Sequence, residues 1–281
     1  MRKVCVASIQ MKCSREVNEN ILTADRLVRT AAEKGAEIIL LPELFERQYF
    51  CQERRYEYYG FAKPVEDNDA VKHFLPVSEE LNIVLPLSIY EKDGNVLYNT
   101  VVVLDCGKIL GIYRKTHIPD DHPGNTGFVT FKTTYGQIGI GICWDQWFPE
   151  TARCLTLNGA ELLFYPTAIG SEPILNCDSM KHWRNVMKGH AAANIIPVIA
   201  ANRYGLEEVT PCDANGNQSS SLEFYGSGFI TDATGELLCE SGRKGDDILL
   251  QEFDLDEIAA MRLEWGLFRD RRPECYEKIL K

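Results

Sequence analysis

The chain has no C-x-x-C pair, no apolar run long enough to span a membrane, no excess of basic residues and no internal repeat or low-complexity stretch. Each absence removes a class of function. Its ten cysteines stand singly at positions 5, 13, 51, 106, 143, 154, 177, 212, 239 and 275. That scatter predicts reduced thiols in a cytosolic protein rather than a disulfide framework or a zinc site. The five histidines (His73, His117, His122, His182 and His190) include no H-E-x-x-H or similar ligand spacing, which argues against metal-catalysed hydrolysis. Gly136, Gly139 and Gly141 do not match G-x-G-x-x-G, so a close-packed strand is expected there rather than a nucleotide loop. The opening residues MRKVCVA enter a strand at once without an apolar leader, and no signal peptide is expected. A net charge of −11 excludes nucleic acid or an anionic membrane as the main partner and is compatible with a cationic small molecule.

What is present fits a folded protein with a substantial core: 281 residues, 45% of them hydrophobic and 25% charged. No stretch reads as a linker, so one domain over 1–281 is expected. Strand and helix patterns alternate. Period-two alternation or short apolar runs predict strands over 3–10, 36–41, 83–87, 88–92, 96–105, 108–114, 128–134, 136–143, 162–166, 198–202, 228–231 and 248–253. Helical periodicity predicts helices over 18–34, 69–81, 148–158, 180–194 and 255–265, the first closed by Gly35. Asp93-Gly94-Asn95 marks a hairpin turn. The polar stretch 204–222 reads as an exposed loop. Alternation interleaved with hairpins predicts an α/β fold with mixed sheets flanked by helices.

Residues 139–150, GIGICWDQWFPE, are the most informative segment. They place Cys143 at the end of a buried strand, followed by a turn and then a helix. A thiol there sits where a helix N-terminus lowers its pKa, and the next backbone N–H, on Trp144, is free to point at a developing oxyanion. Two further chemical groups stand at equivalent places, Glu43 after EIILLP and Lys115 after ILGIYR. Carboxyl ends of strands are where α/β proteins build sites. Alone, each is more often a turn residue or a solvated strand end; together they supply a nucleophile, a carboxylate base and a cation.

These residues carry a resemblance. LLPELF at 40–45, YRKTHIP at 113–119 and GICWDQWFPE at 141–150 resemble the nitrilase superfamily of carbon–nitrogen hydrolases, across essentially the whole chain. FYPTAIGSEP at 164–173 and HWRNVMKGHAAAN at 182–194 resemble its N-carbamoylputrescine amidase branch. The resemblance implies an αββα sandwich that assembles into a homo-oligomer of dimers or higher, with no metal or organic cofactor. It implies Glu43 as general base, Lys115 as oxyanion-stabilising cation and Cys143 as nucleophile. For a substrate with a distal amine, a carboxylate should meet the cation: Glu172 first, Asp145 second. Trp144, Trp147 and Tyr49 would line an apolar passage. Related amidases acting on N-carbamoyl-β-alanine or an ω-amide remain alternatives.

The chain departs from the superfamily in one place. An aromatic segment bearing a second catalytic Glu normally precedes the PGNTG turn at 123–127, and here His122 meets Pro123 directly. Either a stretch belongs between these residues, or the chain is a shortened binding protein on the same scaffold. The retained Glu43, Lys115 and Cys143 favour the first.

Overall fold

A computed structural model describes residues 1–118, 127–171 and 177–280. The expectation about His122 and Pro123 lies outside the described residues.

The first sheet is built on β1 (Lys3–Gln10), β2 (Ile38–Leu40), β3 (Val84–Asp93), β4 (Val96–Asp105) and β5 (Lys108–Arg114), with β14 (Asp247–Asp254) on its edge. Its order is β14-β1-β2-β3-β4-β5. The parallel core β1-β2-β3 is extended by antiparallel strands on both sides, β14 beside β1 and the consecutive β4 and β5 beyond β3. The second sheet has β6 (Thr130–Thr133), β7 (Gly136–Ile140), β8 (Leu162–Pro166), β9 (Val198–Ala201), β12 (Phe229–Thr231) and β13 (Leu237–Glu240), in the order β13-β12-β9-β8-β7-β6. Here β7, β8 and β9 are parallel.

Strand periodicity explains how the layers stack. Alternate residues of a strand face opposite sides, and in this chain both sides are apolar. Val4, Val6, Ile38, Leu40, Val101 and Val103 meet Ile138, Ile140, Leu162, Phe164 and Ile199 in one buried cluster between the sheets. Their neighbours Ala7, Ile9, Ile39, Leu41, Val102 and Leu104 face the other way, onto α1 (Val17–Glu33) and α2 (Asp69–Glu80). On the far side Leu163, Tyr165, Val198 and Ala200 pack on α3 (Pro149–Leu157) and α4 (Met180–Asn194). The result is an αββα sandwich. The helices present matching stripes: Ile21, Ala24, Leu27, Val28 and Ala31 of α1 are all buried, at the spacing of one helix face. A fifth helix, α5 (Leu255–Trp265), closes one end of the inter-sheet core with Leu255 and Ile258. No described helix is long and apolar enough to cross a membrane.

The structure corrects the sequence reading in several places, among them the unexpected strand β13. Residues 83–87 and 88–92 form one strand, β3. The stretch expected as a loop over 204–222 contains a two-stranded ribbon, β10 (Tyr204–Val209) against β11 (Ser220–Tyr225). Its polar side chains hid it, because an exposed ribbon is held by backbone pairing rather than by an apolar face. Finally, β7 ends at Ile140, and Cys143 opens a short 3₁₀ turn, Cys143–Trp147, rather than closing the strand.

Gly139 in β7 and Gly141 just beyond its end are close-packed, as expected. A Cβ on Gly139 would lie 2.9 Å from Leu163, and one on Gly141 would lie 2.6 Å from the Tyr165 ring and 3.1 Å from Thr151. Gly141→Ala should therefore lower stability by about 1–3 kcal/mol through overpacking. Thermal or denaturant unfolding checks this, and a variant as stable as the parent would show that Tyr165 relaxes freely.

Candidate active site

Three loops meet at the carboxyl ends of the parallel strands. Glu43 follows β2 and is fully buried. Its backbone N–H donates to the Thr167 carbonyl at 3.3 Å, tying it to the loop after β8 in the opposite sheet. Lys115 directly follows β5 and is 4% exposed. Its backbone N–H donates to the Asn99 carbonyl at 2.8 Å, which continues the pairing with β4. The Lys115 ammonium donates to Glu43 Oε1 at 2.8 Å. Cys143 is 6% exposed, has φ +42°, and points its Sγ at the Ala168 carbonyl 3.8 Å away. A positive φ at a residue with a Cβ is strained and persists where surrounding contacts impose it. Glu43, Lys115 and Cys143 are thus brought together from sequence-distant loops.

Their charges are interdependent. Burial pushes the Cys143 thiol well above its ordinary value, the Glu43 charge pushes it further, and the Lys115 ammonium opposes both. The resting thiol is therefore neutral and needs a base to become a nucleophile. Burial disfavours the Lys115 charge, but Glu43, Cys143 and Asp145 outweigh that effect and hold the amine above its ordinary value. A permanently charged ammonium beside a neutral thiol and a carboxylate can promote attack on a carbonyl-type carbon and hold the resulting oxyanion.

The structure gives Asp145 a different task from the one expected. The side chain is fully buried. Its Oδ2 accepts from the Tyr113 hydroxyl at 2.8 Å and the Ile142 N–H at 2.9 Å. Its Oδ1 accepts from the His117 N–H at 2.8 Å and pairs with His117 Nδ1 at 2.7 Å. With four protein partners the carboxylate has no lone pair left for a substrate amine. Instead it knots the Cys143 turn to the Lys115 loop, and the His117 ring stacks on Phe148 at 3.7 Å. The sequence signal is Asp145 itself, which local pattern alone does not distinguish as scaffold rather than pocket.

The remaining expected residues divide. Tyr49 lies near the site: burial raises its hydroxyl well above the ordinary value, and the charges of Cys51, Glu43 and Cys143 add to the rise. Its N–H donates to Glu207 at 2.5 Å, and its ring meets Phe224 edge-on at 5.5 Å. Trp144 follows the thiol and is 37% exposed, open enough to meet a ligand. Trp147 packs on the α3 and α4 core and meets the Trp144 ring edge-on at 6.2 Å. Glu172 lies outside the described residues.

Two residues at the site escaped the sequence reading. Asn99 donates to Glu43 Oε1 at 2.7 Å. Arg203, fully buried, donates to the carbonyls of Glu43 at 2.7 Å, Leu44 at 3.0 Å and Arg47 at 3.0 Å, and pairs with Glu207 at 3.0 Å. It staples the Glu43 loop to β10. Among the described residues no three His, Cys, Asp or Glu side chains gather as a metal site would require.

The geometry has counterparts among known proteins. Residues 5–263 match the family model described as carbon-nitrogen hydrolase. An N-carbamoylputrescine amidase of Oryza sativa is 49% identical over 289 aligned positions, covering 99% of this chain and 95% of that protein. A citrullinase of Francisella tularensis is 46% identical over 292 positions, covering 100% of this chain and 99% of that protein. Both alignments are longer than the 281 residues of this chain, so each relative carries residues with no counterpart here. The crystal structure of a carbon-nitrogen hydrolase from Helicobacter pylori superposes with a TM-score of 0.89 at 32% identity, covering 99% of both chains.

Proposed function

The chain belongs to the carbon-nitrogen hydrolase family, and from that premise we propose that it hydrolyses N-carbamoylputrescine to putrescine, ammonia and carbon dioxide, with Cys143 as nucleophile, Glu43 as base and Lys115 as oxyanion-stabilising cation. The observation that carries the assignment of roles is the buried 2.8 Å pair between Lys115 and Glu43 in company with the buried Cys143 thiol. Glu43 takes the thiol proton while sulfur bonds to the ureido carbon. The carbonyl electrons move to oxygen, where the Lys115 ammonium and the Trp144 N–H meet the charge. Collapse expels the NH₂ group, which leaves as ammonia with the proton from Glu43. Glu43, again a carboxylate, takes a proton from water as its oxygen attacks the thiocarbamate. The C–S bond then breaks, Glu43 returns that proton to the departing sulfur, and the carbamic acid released splits into carbon dioxide and the diamine.

Support for the ureido amine as substrate comes from the relatives at 49% and 46% identity, whose names both specify a ureido compound. The second of these favours one rival, citrulline, which adds a carboxylate beside the distal amine. The two substrates ask for different pockets: an amine alone needs an anion, and an amino acid needs a cation as well. Glu172 is our candidate anion. We also propose that the protein works as a homo-oligomer in the cytoplasm.

Ammonia release should be measured across N-carbamoylputrescine, citrulline, N-carbamoyl-β-alanine and a simple ω-amide. We expect the highest kcat/KM on the first, and Glu172→Gln should raise KM for it with kcat little changed, the signature of lost ground-state binding. A preference for an anionic carbamoyl amino acid would overturn the substrate reading. No release from any of the four would leave a binding protein on a hydrolase scaffold.

A further inference from the structure

Asn99 lies on the face of β4 that also carries Val101 and Val103 into the inter-sheet core, at the end of that row nearest the site. It touches both members of the buried ion pair. Its carbonyl accepts the Lys115 N–H at 2.8 Å, and its side-chain amide donates to Glu43 at 2.7 Å. Both side-chain donors to Glu43 converge on one oxygen: Lys115 at 2.8 Å and Asn99 at 2.7 Å meet Oε1. Glu43 Oε2 is buried and has no hydrogen-bond partner among the described residues.

A carboxylate whose oxygens are so unequally loaded is not a symmetric base. Two donors, one of them charged, draw electron density toward Oε1 and block its lone pairs. The unloaded oxygen keeps its lone pairs for a proton. Asn99 Oδ1 is likewise buried without a partner among the described residues. The carboxylate is therefore the one group holding the amide's orientation, and it selects the nitrogen end. We propose that Asn99 is a positioning residue of the reaction: with Lys115 it anchors Oε1 and so assigns Oε2 as the oxygen that takes the Cys143 proton. In that step the S–H bond breaks, its electron pair stays on sulfur and goes to the substrate carbon, and an O–H bond forms at Oε2. The inference rests on the roles given above to Glu43 and Cys143.

Two substitutions test it, Asn99→Leu, which keeps the volume, and Asn99→Asp, which keeps the shape and removes the donor. In each variant that retains wild-type circular dichroism, kcat should fall about tenfold to a hundredfold with KM within about threefold, because a hydrogen bond to a charged group is lost at the base and not at the substrate. Alkylation of Cys143 by iodoacetamide, followed by mass spectrometry at that residue, should slow by a similar factor without any substrate present. Glu43→Gln is the control. If it slows alkylation and neither folded Asn99 variant does, the inference is overturned and the assignment of the base stands. If Glu43→Gln leaves alkylation unchanged, the assignment of the base fails and takes the inference with it. A loss confined to KM in the Asn99 variants also overturns it, since that would place the amide against substrate.

Discussion

Cys143→Ser is expected to abolish turnover, by about four orders of magnitude or more, while the protein keeps its fold and melting temperature. Losses of this size follow removal of a nucleophile from a site whose members act as a unit. Serine fills nearly the same space, and the Ala168 carbonyl that accepts from the thiol at 3.8 Å can accept from a hydroxyl. The strained φ of +42° belongs to the backbone, which serine shares with cysteine. What changes is the proton: a buried serine hydroxyl is far harder to deprotonate than a thiol, and Glu43 is placed to accept from the latter. The other nine cysteines should be replaceable one at a time without comparable loss, as they sit outside the three converging loops or, like Cys51, beside them. Ammonia release together with thermal unfolding checks both halves. A covalent intermediate trapped on any other cysteine would sink the assignment.

Lys115→Met should cost both turnover and stability. Removing one member of a buried pair strands the other, a penalty of about 3–5 kcal/mol. The stranded group is Glu43, left with Asn99 as its remaining side-chain donor. Activity should fall about a thousandfold, the scale of losing an oxyanion donor in a water-poor site. The double variant Lys115→Met with Glu43→Gln separates the two effects: it should recover much of the stability and none of the activity. If the double variant is as unstable as the single one, the lost stability comes from packing of the lysine stem and not from the stranded charge. The pH dependence has a definite sign. Lys115 is raised above its ordinary 10.5, so its contribution is complete below that pH and is lost only as the pH rises through the folded value. The wild-type protein should show no loss from this pair between neutral pH and about 10.

Much of this architecture could be read from the residues. β1, β4, β5, β8, α4 and α5 have the bounds that periodicity predicts; β1, β4 and β8 carry runs of buried apolar residues, whereas β5 buries only Tyr113. β10, β11 and β13 escape the sequence reading because, apart from Val209, Phe224 and Tyr225, their residues are half-exposed or exposed, so burial leaves little imprint on their sequence. The site shows the same divide. Glu43, Lys115 and Cys143 stand at strand ends, where position itself is a signal. Asn99 was visible only as one polar residue in the row Leu97, Asn99, Val101, Val103. Arg203 and the true role of Asp145 depend on hydrogen bonds between residues far apart in the chain, which no local pattern encodes.

The Arg203 staple has a consequence for the order in which the molecule is made. The Glu43 carbonyl is held by a guanidinium that lies 160 residues later, and the Glu43 N–H by a carbonyl at Thr167. A nascent chain leaving the ribosome displays Glu43, then Lys115, then Cys143, yet two of the backbone contacts on Glu43 form only once Thr167 and Arg203 have emerged and docked. All three reactive groups are thus synthesised before the last of the contacts that align them. A truncated product ending before Arg203 should hold the parts of the site without the guanidinium that fixes the Glu43 carbonyl.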